Sequence, residues 1–272
     1  MARLRQRYLL FIDLLGAKSR WHRAGRAVAE VAYRQLRSLV ESGLSTIDDR
    51  ELIDGLIETD AAAIVCTSTE ACVKMGLEVF RNAFSLTGAE PEQRPWLRGT
   101  ITPLPQYTSL RSAASVPTPY RKIKISSLTS GLLDAISVEK SGFKGMRLLI
   151  TAALITRPLL AGFAIPVGPR SLAPFKTLKH SYYPARLGKD FEDVFWMIRD
   201  SGTSWEQAKR TMALRLRLAA RDPEEFVQAA ATQVLFHECS AIIWNLSRTT
   251  GVNALKDTML ADVPDTPEGA DG

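Results

Sequence analysis

Apolar and polar positions fall into two regimes along the chain. Up to about residue 153, short apolar runs alternate with stretches of helical period. Beyond it the pattern loosens around prolines and closes in helices. Tyr8 to Asp13 is a continuous apolar run ended by a carboxylate, which predicts a first, buried strand. After Gly16 a helix is predicted from about Ser19 to Glu41, with its stripe at Val28, Ala32, Leu36 and Leu39 and its stop at Gly43. Leu52 to Thr59 and Ala61 to Thr67 read as a strand pair joined tightly at Thr59-Asp60. Ser68 caps a helix over about Glu70 to Phe84, and Trp96 to Pro103 is the next strand. A loop from Pro105, a short strand at Ile123 to Ile125, a short helix at Leu132 to Lys140 and a strand at Met146 to Ala153 complete this part. The order predicts an α+β fold in which helices cover a sheet.

The remainder carries Pro158, Pro166, Pro169, Pro174 and Pro184, and then helices at about Phe191 to Arg199, Ser204 to Ala220 and Pro223 to Ser247. Asp222, Pro223 and Glu225 form the signature of a capping box at the start of the last one. The expected organisation is a domain over residues 1–153, a mainly helical extension over 154–261 packed on the core or on a second subunit, and a disordered acidic tail over 262–272.

Composition bounds the picture. With 272 residues, 46% hydrophobic and 24% charged, the chain can bury a sizeable core and needs no disulfide scaffold. Cys66, Cys72 and Cys239 are read as reduced, buried thiols of a cytoplasmic protein. The apolar stretch from Leu148 to Pro169 is a poor membrane span, because it holds Arg157, three prolines and two glycines. The net charge of +6 conceals four acids in the last fourteen residues, so the body carries +10. Such a field attracts phosphate, on a small nucleotide or on a nucleic acid. Arg20, Arg23, Arg26, Arg34 and Arg37, with Trp21 and Tyr33, keep a nucleic-acid reading open, although no stable nucleic-acid partner is expected.

Candidate chemistry sits on Asp13 and Asp60. Each ends or turns an otherwise apolar strand, a costly place for a carboxylate without a partner. If the strands are neighbours, the two carboxylates converge at one edge and suit Mg²⁺ or Mn²⁺ held mainly by nucleotide phosphates. Taken singly, Asp60 also fits a turn residue and Asp13 a helix cap. His22, His180 and His237 stand apart from one another, and no zinc spacing is present.

The order Phe11-Ile12-Asp13-Leu14-Leu15-Gly16, a helix, Glu58-Thr59-Asp60, then Leu97-Arg98-Gly99-Thr100-Ile101 and Leu132 to Glu139, resembles the class III nucleotidyl cyclases over about residues 7–152. That resemblance implies a ferredoxin-like antiparallel sheet flanked by helices, a homodimer with composite sites, and two Mn²⁺ or Mg²⁺ ions. Asp13 and Asp60, with Leu14 beside them, would be the metal positions. Where those enzymes read a purine, this chain has Leu56 and, within about two residues, Ser126. Leucine offers a purine edge no hydrogen bond. The positions of the usual Asn and Arg are Leu133 and Ser137.

Lacking the purine pair, the chain is more similar to the pyrimidine cyclases of the Pycsar antiphage systems, with Ala135 to Glu139 and Gly145-Met146-Arg147-Leu148 matching their helix and arginine-bearing strand. By that resemblance UTP, or alternatively CTP, becomes the 3′,5′-cyclic monophosphate plus pyrophosphate. The product then acts on a separate effector in antiphage defence. Arg98 and Arg147 are the expected catalytic arginines, with Lys140 and Lys144 as alternatives to Arg147 for reaching the partner's nucleotide; Glu58 and Thr59 flank the hairpin aspartate as substrate candidates, Glu58 either reading an exocyclic amine or pointing at solvent. A cyclase-like pseudoenzyme that binds a nucleotide is the remaining alternative.

Overall fold

The computed structural model describes residues 6–16, 25–58, 60–90, 93–104, 144–156, 159, 165–167, 170–172, 175–176, 191–194, 196–197 and 202–248. The expected elements at Ile123 to Ile125 and Leu132 to Lys140, the start of the first helix and the acidic tail lie outside these residues.

The first half builds a strand–helix–strand–strand–helix–strand unit. Strand β1 (Arg7–Leu14) leads to helix α1 (Arg26–Leu44), the hairpin β2 (Leu52–Glu58) and β3 (Ala61–Cys66), helix α2 (Thr69–Ser85) and strand β4 (Leu97–Leu104). The hairpin closes with Glu58 opposite Ala61, and Asp60 lies in the turn between them. Ser68 accepts a hydrogen bond from the Ala71 N–H at 3.1 Å and caps α2, as its sequence predicts. β3 and β4 both pair antiparallel with β1, which places β1 inside the sheet and accounts for its unbroken apolar run.

The second half extends the same sheet. β5 (Arg147–Thr151), the short β8 (Phe175–Lys176) and β9 (Phe191–Val194) complete seven strands in the order β2-β3-β1-β4-β5-β9-β8. A separate ribbon joins β6 (Ile165–Val167) to β7 (Arg170–Leu172). The expected all-antiparallel sheet is corrected here: β4 and β5 run parallel, with Arg98 opposite Arg147, so the sheet is mixed. The long connection from Leu104 to Arg147 gives the chain the return path that parallel neighbours require. Phe191 to Val194 is a second correction, a strand rather than the start of a helix. It is fixed by pairing with β5, with Thr151 opposite Phe191.

Leu10, Ile12 and Leu14 of β1 face one way and join Ala32, Leu36 and Val40 of α1 and Val73, Met75 and Phe80 of α2 in the main core. Leu9 faces the other way, into a smaller cluster with Ala63, Val65 and Leu104 that Phe11, Ile53 and Leu56 flank. Gly43 does not stop α1. It lies in the helix, and a Cβ there would stand 2.5 Å from Val79 Cγ2, so the glycine lets α1 and α2 approach closely.

Helices α3 (Gly202–Ala219) and α4 (Pro223–Arg248) share the main core through Met212, Ala219, Ala229, Leu235, Phe236 and Cys239. Two buried arginines bind them to the start of β4. Arg94 forms a fork with Glu225, at 2.9 Å through Nε and 2.8 Å through Nη2, and Trp96 Nε1 donates to the same carboxylate at 3.1 Å. Arg215 donates to the carbonyls of Ala83, Phe84 and Pro95, and its guanidinium lies 4.0 Å from the Trp96 ring centroid. Asp222 caps α4 through the Glu224 and Glu225 N–H groups. The Glu225 side chain is spent on Arg94 and Trp96, where the capping-box reading turns it back to the cap.

Candidate functional site

The hairpin turn and the end of β1 meet. The Leu14 N–H donates to the Asp60 carbonyl at 2.7 Å, and Asp13 stands opposite Ala61, the residue after Asp60. This brings the two sequence-predicted carboxylates to one end of the sheet. The Leu14 side chain is buried in the main core, so this residue has only its backbone to offer there.

Asp13 is also opposite Arg98 on β4, and Arg98 is opposite Arg147 on β5. Cross-strand partners share a face. Asp13, Arg98 and Arg147 therefore form a row across three adjacent strands, on the face that carries Leu9 and Phe11. Arg98 Nη2 donates to Asp13 Oδ2 at 3.0 Å, with 8% and 14% of the two side chains exposed. Arg147 forms a fork with Asp193 of β9, at 2.9 Å from Nε and 2.7 Å from Nη2. Along Asp13, Arg98, Arg147 and the forked Asp193 the charges run negative, positive, positive, negative, and Asp60 lies in the turn that meets the end of β1.

Gly99, beside Arg98, has no room for a side chain. A Cβ there would stand 2.9 Å from Leu148 Cδ1 and 3.0 Å from Phe80 Cε2. Glycine thus lets α2 press onto β4 where Arg98 must be held. Gly99→Ala is expected to cost about 1–3 kcal/mol by overpacking, read as a lower thermal midpoint than that of the unaltered protein.

Leu56 lies opposite Ala63, hence on the same face as Phe11 and Asp13, against the small apolar cluster. Lys144 is exposed, just before Gly145. Glu58 ends β2 beside the turn. Thr59, Ser126 and Lys140 lie outside the described residues.

No protein-family model matches the chain, and no curated protein matches its sequence. The site is accordingly judged on its own chemistry. Among the described residues no three His, Cys, Asp or Glu side chains gather into a metal cage. Asp13 and Asp60 are hard oxygen donors, and two carboxylates fit Mg²⁺ or Mn²⁺ whose other ligands are phosphate and water oxygens. On α1, exposed Arg26 and Arg37 pair with Glu30 and Glu41 of their own helix, which tempers the basic surface expected there. No helix among the described residues is long and apolar enough to cross a membrane.

Asp193 escaped the sequence reading: it follows Lys189, Asp190 and Glu192 in a segment with helical appearance, where no local signal sets it apart. Tyr33 of α1 stands near Asp60: burial first, and then the Asp60 charge, raise its phenol above the ordinary 10.0. Both effects favour the neutral form. The stability this contributes is full below pH 10.0 and is lost as pH climbs through the raised value. Tyr33→Phe should therefore flatten part of the fall in thermal midpoint as pH rises above about 10.

Proposed function

We propose that this protein is a nucleotidyl cyclase of the class III type, acting on a pyrimidine nucleoside triphosphate and preferring UTP. The observation that carries the reading is the Leu14–Asp60 backbone hydrogen bond, which brings the hairpin turn holding Asp60 to the end of β1 that carries Asp13, with Arg98 and Arg147 in register across the next two strands. Further support comes from the topology. The β1–β4 unit runs βαββαβ with the strand order β2-β3-β1-β4 and antiparallel pairing, in keeping with what the ferredoxin-like reading expects of such cyclases.

In this reading Asp13 and Asp60 hold two Mn²⁺ or Mg²⁺ ions. Bound there, the ions supply charge neutralisation and activation of the attacking hydroxyl. Arg98 and Arg147 bind the triphosphate and stabilise charge on the departing pyrophosphate. The 3′-oxygen bonds to the α-phosphorus, the bond to the β-phosphate oxygen breaks with its electron pair leaving on pyrophosphate, and the hydroxyl proton passes to solvent. Leu56 presents an apolar wall, with no donor or acceptor for a purine edge. The reading calls for a homodimer with composite sites, and for a cyclic-nucleotide-sensing effector downstream in antiphage defence.

The test is a product assay. Purified protein with Mn²⁺ is given ATP, GTP, CTP and UTP separately, and products are identified by mass spectrometry. Cyclic UMP is the expected product. Cyclic CMP would move the base assignment, and a cyclic purine would overturn the argument from Leu56. No product with any of the four, in a protein that still binds nucleotide, would favour a pseudoenzyme.

A further inference from the structure

The groups that hold Arg147 come from the later part of the chain. Asp193 is fully buried and takes both Nε and Nη2 of the guanidinium. A fork of this kind fixes the plane of the guanidinium as well as balancing its charge. The backbone leading into Arg147 is held by α4: the Gly145 N–H donates to Gln228 Oε1 and the Met146 N–H to Thr232 Oγ1, each at 2.8 Å. Gly145 turns there with φ +87°, and a Cβ on it would meet the Thr232 backbone nitrogen at 2.9 Å. The chain just after β9 is anchored in turn, because Trp196 Nε1 donates to the Met146 carbonyl at 3.3 Å and Arg81 Nε donates to the Trp196 carbonyl at 2.9 Å.

A buried ion pair is a poor source of stability, since apolar residues of similar volume often serve as well or better. The arginine of this pair sits in register with Arg98, at the end of the sheet that carries Asp13 and the Asp60 turn. Resting on the reading of that end as a triphosphate site, we propose that Asp193 is a positioning residue that acts through Arg147, aiming its guanidinium at the anion without touching it.

The experiment is equilibrium binding of inorganic triphosphate in the presence of Mn²⁺ to the full chain, with thermal melts in parallel. Four proteins are compared: the unaltered chain, Asp193→Asn, Arg147→Met and the double variant. Each single change should weaken binding by about tenfold or more. The double variant should bind no more weakly than Arg147→Met alone, because the carboxylate works only through that arginine. Unchanged affinity in Asp193→Asn, or losses that add in the double variant, would overturn the proposal while leaving the nucleotide reading standing. Should Asp193→Asn fail to fold, Arg147→Lys answers the same question, since it keeps the charge but cannot take the fork. Its expected loss matches that of Arg147→Met, and full retention overturns the proposal. An unaltered protein that ignores triphosphate overturns the nucleotide reading itself.

Discussion

Asp60→Ala should, on the proposed cyclase reading, lower cyclic nucleotide formation by about a thousandfold or more, the scale on which losing a group that neutralises transition-state charge is felt. Its fold should survive, because Asp60 occupies a hairpin turn and holds Leu14 through its backbone carbonyl, which alanine retains. Asp13→Ala should lose as much activity and stability besides. Removing that carboxylate leaves the Arg98 guanidinium, only 8% exposed, without its ion pair. Removing one member of a buried ion pair costs about 3 kcal/mol or more. The two variants are compared by product yield with Mn²⁺ and by thermal midpoint. Equal melting with unequal activity would mean that the roles assigned to the two aspartates are wrong.

Glu225→Ala should produce the largest loss of stability. The carboxylate is buried with Arg94, accepts both donors of its fork, and also accepts from Trp96 Nε1. Breaking one side of such a pair costs about 3–5 kcal/mol, a fall of about 10 °C in melting temperature for a chain of this size. A residue serving only as the third member of a capping box would cost about 1 kcal/mol. Differential scanning calorimetry separates the two values. Glu225→Gln keeps the shape and one acceptor and should fall between them.

That contrast shows where the sequence was legible. β1, the β2–β3 hairpin, α2 and β4 follow from apolar runs, a turn pair and a Ser cap, all local signals. Asp13, Asp60 and Arg98 stood out because charges interrupt or end those runs. Glu225 was visible too, but its local cue pointed to the helix end while a distant arginine took the side chain. Phe191 to Val194 read as helix because its apolar residues continue into Trp196 and Met197; only the pairing with β5 makes it a strand. Gly43 read as a stop because glycine ends many helices, whereas here it answers to Val79 on another helix. Each misreading involves a partner far away in the chain.

The same separation bears on how the protein is made. Arg94 meets its carboxylate 131 positions later in the chain. Met146, beside the arginine strand of the site, finds its hydroxyl acceptor 86 positions on. At roughly 5–20 residues per second, a ribosome adds the stretch from Arg94 to Glu225 in about ten seconds. During that interval β4 leaves the tunnel with Arg94 and Trp96 not yet matched to Glu225 of α4. The emerging chain thus spends most of its synthesis without a finished charge row, and the backbone leading into Arg147 is held only after α4 has been translated and has docked.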